Sequence, residues 1–202
     1  MDSHGIFVSS VRVLVIGGIG SGKTRVAHVF GDLGALVIEA DVVGHEVLEP
    51  AGAAYADVAA HWPQVLAEGR IDRSALAAIV FSDVGQLGVL ESITHPHIRD
   101  VILARAAAAA PDPVVVEFPL GTAMFDETWV RVLVDADEAT RVGRAVDRGS
   151  DEDDVRARIS AQPGREEWLA SADYVIVNDG TVEDLEANAR DVWERILSSV
   201  ET

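Results

Sequence analysis

Two rhythms of apolar residues alternate along the chain. Short β-branched runs at Val11 to Ile16, Ala35 to Ile38, Pro113 to Leu120, Val130 to Asp135 and Asp173 to Val177 read as buried strands. Helical stripes lie between them: Val26, Val29, Phe30 and Leu33 in Thr24 to Leu33, then Leu185, Ala189, Val192 and Ile196 after a Thr181 and Asp184 capping box. Strands alternating with helices predict an α/β domain around a parallel sheet. From Val42 to Ala110 the strand signal disappears, and helices are expected over Val42 to Leu48, Ala53 to Ala67, Ser74 to Phe81, Gly85 to Ile93 and Pro96 to Ala110. The expected organisation is a tail over residues 1–10 and one domain over 11–202. Its core is 11–43 with 112–202, interrupted by a helical insertion at 44–111.

Gly17-Gly18-Ile19-Gly20-Ser21-Gly22-Lys23-Thr24 fits G-x-x-x-x-G-K-[ST] between the first strand and the first helix, the context a phosphate-binding loop requires. Glycines let backbone N–H groups turn towards phosphate oxygens, and the helix N-terminus favours negative charge. The nucleotide-binding set is therefore Gly18, Ile19, Gly20, Ser21, Gly22, Lys23 and Thr24, with Lys23 reaching the β- and γ-phosphates and the Thr24 hydroxyl a ligand for Mg²⁺. Asp41 follows the second strand, where ligand crevices of open sheets lie. It reads either as an acceptor for the proton of an attacking hydroxyl or as the cap of the next helix. Glu117 ends the third strand, either as a Mg²⁺ group acting through water or as a solvated strand end. His95, in Thr94-His95-Pro96-His97, has a substrate-binding reading and a structural one, with Pro96 in the first turn of a helix. Arg141, Arg144 and Arg148 share one face of the helix capped by Asp137, and a break at Gly149 and a second short helix follow. This outline, about 138–170, reads as a lid that closes over nucleotide or as a salt-bridged surface face. Asn178-Asp179-Gly180 is a turn after the last strand.

Charge narrows the partners. A formal net charge of −18 opposes non-specific binding to nucleic acid or an anionic membrane, so an anionic substrate must be met by local arginines and lysines. The absence of cysteine excludes disulfides and thiolate chemistry. No apolar run approaches a membrane span, no spacing suits a zinc site, and nothing marks an obligate protein partner. A cytoplasmic protein is expected.

The phosphate loop, Ile38-Glu39-Ala40-Asp41, Gly69-Arg70-Ile71-Asp72-Arg73, Thr94-His95-Pro96, Glu117-Phe118-Pro119-Leu120, Arg158-Ile159-Ser160-Ala161-Gln162 and Ala172-Asp173-Tyr174-Val175-Ile176, in that order, resemble the dephospho-CoA kinases. The resemblance implies a three-layer P-loop kinase fold with a parallel five-stranded sheet, a CoA-binding helical insertion and a lid. It also implies transfer of a phosphoryl group from Mg·ATP to the ribose 3′-hydroxyl of dephospho-CoA. On it, Asp41 is the general base, Lys23 and Arg144 serve catalysis, and Arg144 and Arg148 meet ATP phosphates. His95 and Glu117 lie on the substrate side, and Asn178 and Gly180 on the adenine side. The sequence departs from the family at Glu39, Arg25, the stretch Pro119 to Glu127, and Pro163-Gly164 with Trp168 in the lid end at 162–168. Two other readings accommodate these departures: a P-loop kinase of another nucleotide or small metabolite, and a nucleotide-binding homologue without turnover.

Overall fold

The computed structural model describes residues 11–118 and 124–200. The tail expected at 1–10 and residues 119–123 of the altered 119–127 stretch lie outside the described residues. The chain divides into two compact units, one built from the residues up to Ile38 together with those from Ala106 onwards, the other from Glu39–Arg105. The division falls a few residues earlier at each end than the insertion expected from sequence.

The first unit is built on a five-stranded sheet in the order β2-β5-β1-β6-β7, from β1 (Arg12–Ile16), β2 (Leu36–Glu39), β5 (Val114–Glu117), β6 (Val130–Asp135) and β7 (Tyr174–Val177). β1 lies between β5 and β6, parallel to both, and β6 is parallel to β7. From Val13 to Ile16 the central β1 is buried on both faces, which is why that run is apolar without alternation. On one face Val13, Val15, Val115, Val132 and Val134 pack against α1 (Lys23–Asp32) and α9 (Val182–Val200), through Val26, Phe30, Leu185, Ala189 and Trp193. Phe30 and Trp193 stack with ring centroids 4.7 Å apart. Because Trp193 is only 2% exposed, Trp193→Ala is expected to cost about 3–5 kcal/mol. Thermal or urea unfolding checks this, with Mg·ATP affinity of the folded protein unchanged.

The capping box before α9 forms as the sequence predicts. The Asp184 carboxylate accepts from the Thr181 hydroxyl at 2.8 Å and the Thr181 N–H at 3.1 Å, while the Asp184 N–H donates to the Thr181 hydroxyl. The Thr181 hydroxyl, then its N–H, hold the Asp184 carboxyl below its ordinary pKa. A depressed carboxyl stabilises the fold above its unfolded pKa, and that contribution disappears as pH falls through the lowered value.

In the second unit three expectations are corrected. The helix expected over Ala53 to Ala67 is α3 (Tyr55–His61) followed by a short 3₁₀ turn at Pro63–Val65. The ring of Pro63 excludes Trp62 from helical backbone, and Trp62 sits at φ −123°, ψ 67°. Its indole N–H donates to Gln86 Oε1 at 2.8 Å. Where no strand is expected, between the helices expected up to Ala67 and from Ser74, the chain forms an antiparallel hairpin, β3 (Leu66–Ala67) with β4 (Arg70–Ile71). Glu68 at φ 50° and Gly69 at φ 75° are the two left-handed residues that such a two-residue turn needs. Asp72 then caps α4 (Arg73–Val80), accepting from the Ser74 and Ala75 N–H groups. Finally, the two helices expected around Thr94 to His97 are one, α5 (Val84–Ala109), with Pro96 inside it. Proline removes one ladder hydrogen bond at a cost of about 3 kcal/mol. Here the helix runs on through it, with Thr94 and Ile102 buried before and after, and the Thr94 hydroxyl donates back to Leu90 O at 2.8 Å.

Candidate active site

The loop from Gly17 to Gly22 leaves β1 and enters α1, and its shape is set by contacts that only glycine allows. Gly20 and Gly22 lie at φ 77° and 102°. A Cβ at Gly20 would come 2.3 Å from Arg141 O, and one at Gly22 would come 2.4 Å from Asn178 Nδ2. Gly22 occupies the N-cap of α1 with no side chain accepting its first N–H groups, and the first turn holds no acidic residue. Those donors and the helix dipole suit an anion. The Lys23 ammonium donates to Gly18 O at 3.1 Å, so it arches back across the loop.

Thr24 lies in the first turn of α1 and Glu117 closes β5. The Thr24 hydroxyl donates to Glu117 Oε1 at 2.7 Å, so the sheet brings together two oxygen ligands expected from residues far apart in sequence. Among the described residues no group of three or more His, Cys, Asp or Glu is placed to hold a metal. A hydroxyl and one carboxylate beside a phosphate loop fit Mg²⁺, which takes few protein ligands and fills its shell with water and phosphate oxygens.

The loop is held from behind by a relay the sequence did not reveal. Asn178, at the end of β7 and only 4% exposed, donates through Nδ2 to Ser21 O at 2.7 Å. Arg144, on α6 (Glu138–Asp147), donates to Asn178 O at 3.0 Å and to Asn178 Oδ1 at 3.3 Å. Arg144 and Asn178 thus join α6, the end of β7 and the phosphate loop. Asp137 caps α6 as expected, accepting from Thr140 N at 2.8 Å, and the Thr140 hydroxyl, then its N–H, lower the Asp137 pKa. Arg148 is the exposed C-cap residue of this helix. Gly180 lies in the turn beside Asp184.

The expected helix-break-helix outline is α6, a turn at Gly149, α7 (Glu152–Ser160) and then α8 (Arg165–Ala170). Two contacts join its end to the sheet and the loop. Gln162 Oε1 accepts from Ile19 N–H at 3.1 Å. Arg165 Nε and Nη2 grip both oxygens of buried Asp135, the Nη2 to Oδ2 bond being 2.6 Å. That hydrogen bonding, and then the Asp135 charge, raise the Arg165 pKa. A cleft of about 510 Å³ opens among these parts, walled by Gly18, Asp135, Arg141, Arg156, Arg165 and Trp168.

Two further residues singled out in the sequence lie in the second unit. Asp41 is exposed in the first turn of α2 (Ala40–Glu46), directly after β2. Glu39, not Asp41, is the N-cap residue, so Asp41 is not committed to capping. His95 is half-buried midway along α5, next to Pro96.

Comparison with known proteins follows the same lines. A family model described as Dephospho-CoA kinase matches residues 11–184. The chain belongs to the dephospho-CoA kinase family. A dephospho-CoA kinase of Thermobifida fusca is 42% identical over 192 residues, spanning 92% of this chain and 96% of its own. A Thermus thermophilus protein of known crystal structure superposes with a TM-score of 0.79 at 32% identity, over 93% of this chain and 98% of that one. The dephospho-CoA kinase from Campylobacter jejuni shares the fold, with a TM-score of 0.70 at 24% identity over 92% of this chain and 96% of its own. The three-layer α/β kinase fold expected from the sequence is therefore that of the family. No helix among the described residues is long and apolar enough to cross a membrane.

Proposed function

We propose that this chain transfers the γ-phosphoryl group of ATP to the ribose 3′-hydroxyl of dephospho-CoA, giving CoA and ADP in the last step of CoA synthesis. The observation that carries this is a complete phosphate loop, with Thr24 against Glu117, in a chain that matches the kinase family over residues 11–184. Asp41 orients the 3′-hydroxyl and takes its proton as the oxygen attacks the γ-phosphorus in line. Loop amides from Gly18 to Thr24 and the Lys23 ammonium hold the phosphates and neutralise charge that builds on the departing ADP. Thr24, with Glu117 acting through water, would hold Mg²⁺, which would supply a divalent charge on the phosphate oxygens. Arg144 and Arg148 are the lid arginines for the ATP phosphates, with Arg144 also bracing the loop through Asn178. His95 belongs to the acceptor side, and the Asn178 to Gly180 turn to the adenine side. The protein acts in the cytoplasm as a soluble enzyme on a small-molecule acceptor.

The test is whether ADP release from Mg·ATP requires dephospho-CoA. Release that rises from a negligible background and saturates with dephospho-CoA is expected. Release that is indifferent to dephospho-CoA but responds to another hydroxylated nucleotide or metabolite would overturn the acceptor assignment.

A further inference from the structure

Three arginines line the cleft beside the phosphate loop, and two of them are already neutralised. Arg156 pairs with Glu138 and Glu152, and Arg165 with Asp135. The third, Arg141, makes no ion pair or side-chain hydrogen bond among the described residues, and its Nε–H is buried without an acceptor. It is half-buried, and it is the arginine that touches the loop: a Cβ at Gly18 would fall 1.9 Å from Arg141 Nη1 and 3.0 Å from its Cζ. The Arg141 backbone also presses on the loop, its carbonyl oxygen falling 2.3 Å from where a Cβ at Gly20 would stand. A partly buried, uncompensated guanidinium destabilises the empty protein. In a chain of net charge −18, such a cation is retained at a phosphate loop only to the advantage of a bound anion, and a guanidinium matches phosphate oxygens in a two-pronged geometry.

We infer that Arg141, with Gly18 against it, is a further phosphate-binding residue of the donor site, contacting the terminal phosphate oxygens of ATP held on the loop. This rests on the kinase reading only in taking ATP as the ligand. It separates the roles along the α6 stripe: Arg144 braces Asn178 and the loop, whereas Arg141 is the cation left unpaired at the loop surface.

The experiment compares the full-length parent protein with Arg141→Gln and Arg141→Lys, titrating Mg·ATP, AMP and inorganic tripolyphosphate by calorimetry. Ligand-free thermal unfolding and the KM for dephospho-CoA are measured alongside. Loss of a charge-assisted hydrogen bond is expected to weaken Mg·ATP and tripolyphosphate binding by about ten-fold or more in Arg141→Gln. AMP affinity and the KM for dephospho-CoA stay within two-fold. Arg141→Lys recovers part of the loss. The unfolding midpoint of ligand-free Arg141→Gln equals or exceeds that of the parent, because a stranded charge has been removed. Equal ATP affinity in parent and Arg141→Gln, or a matched fall for ATP and AMP with a lowered midpoint, would overturn the assignment. If instead the KM for dephospho-CoA alone rose, the residue would serve the acceptor and the donor assignment would be wrong. If the parent forms no CoA yet shows this ATP-specific pattern, the acceptor reading fails while the role of Arg141 stands.

Discussion

Asp41→Asn is expected to lower kcat by about 10²–10⁴-fold, the range that loss of a positioned general base produces. The amide keeps the shape and the helix position of Asp41 but cannot take up the hydroxyl proton. Substrate affinities should therefore hardly move, with both KM values within about three-fold of the parent. Folding should also be spared, since Asp41 is exposed and is not the N-cap of α2. Among the described residues its structural contribution is a negative charge in the first helical turn, a position worth about 0.3–1 kcal/mol. Steady-state kinetics with unfolding on the same preparation check this. Full turnover in the variant would remove Asp41 from the chemistry, and a large fall in stability would make its role structural.

The second large effect is expected at Lys23. Replacing it with alanine should reduce kcat by at least about 10²–10³-fold, as loss of one preorganised charge stabiliser does, and should weaken Mg·ATP binding as well. The two effects separate Lys23 from Asp41: one variant loses nucleotide affinity and turnover together, the other turnover alone. Lys23→Arg should not rescue. The ammonium that donates to Gly18 O occupies a tight turn, and the longer planar guanidinium cannot replace a compact point charge there. Single-turnover measurements at saturating ATP isolate the chemical step, and a Lys23→Ala rate equal to that of the parent would contradict this role.

The frame of this site is legible in the sequence because each part is local. β6 runs over the residues its apolar pattern predicts, and Asp72, Asp137 and the Thr181 with Asp184 box cap the helices whose starts they mark. The phosphate loop is a contiguous motif, and its strand and helix flanks are visible on either side. What is not legible are contacts between residues distant in sequence. The Asn178 to Ser21 bond, the Gln162 to Ile19 bond and the grip of Arg165 on Asp135 join positions 157, 143 and 30 residues apart. Only their placement near strand ends hinted at them. Pro96 misleads because its local cost is outweighed by burial along a 26-residue helix, whereas Pro63 acts on local sterics alone and could have been read as a stop. The hairpin at Glu68-Gly69 was hidden because its strands are only two residues each, too short to show alternation.

The central claim is the transfer of phosphate to dephospho-CoA. It is tested most directly by incubating the purified protein with Mg·ATP and dephospho-CoA and resolving the products by mass, with Asp41→Asn alongside. The account predicts CoA and ADP in equal amounts from the parent, phosphorylated on the ribose 3′-hydroxyl, and almost none from the variant. ATP bound but dephospho-CoA recovered unchanged, or an equal yield from both proteins, would contradict it.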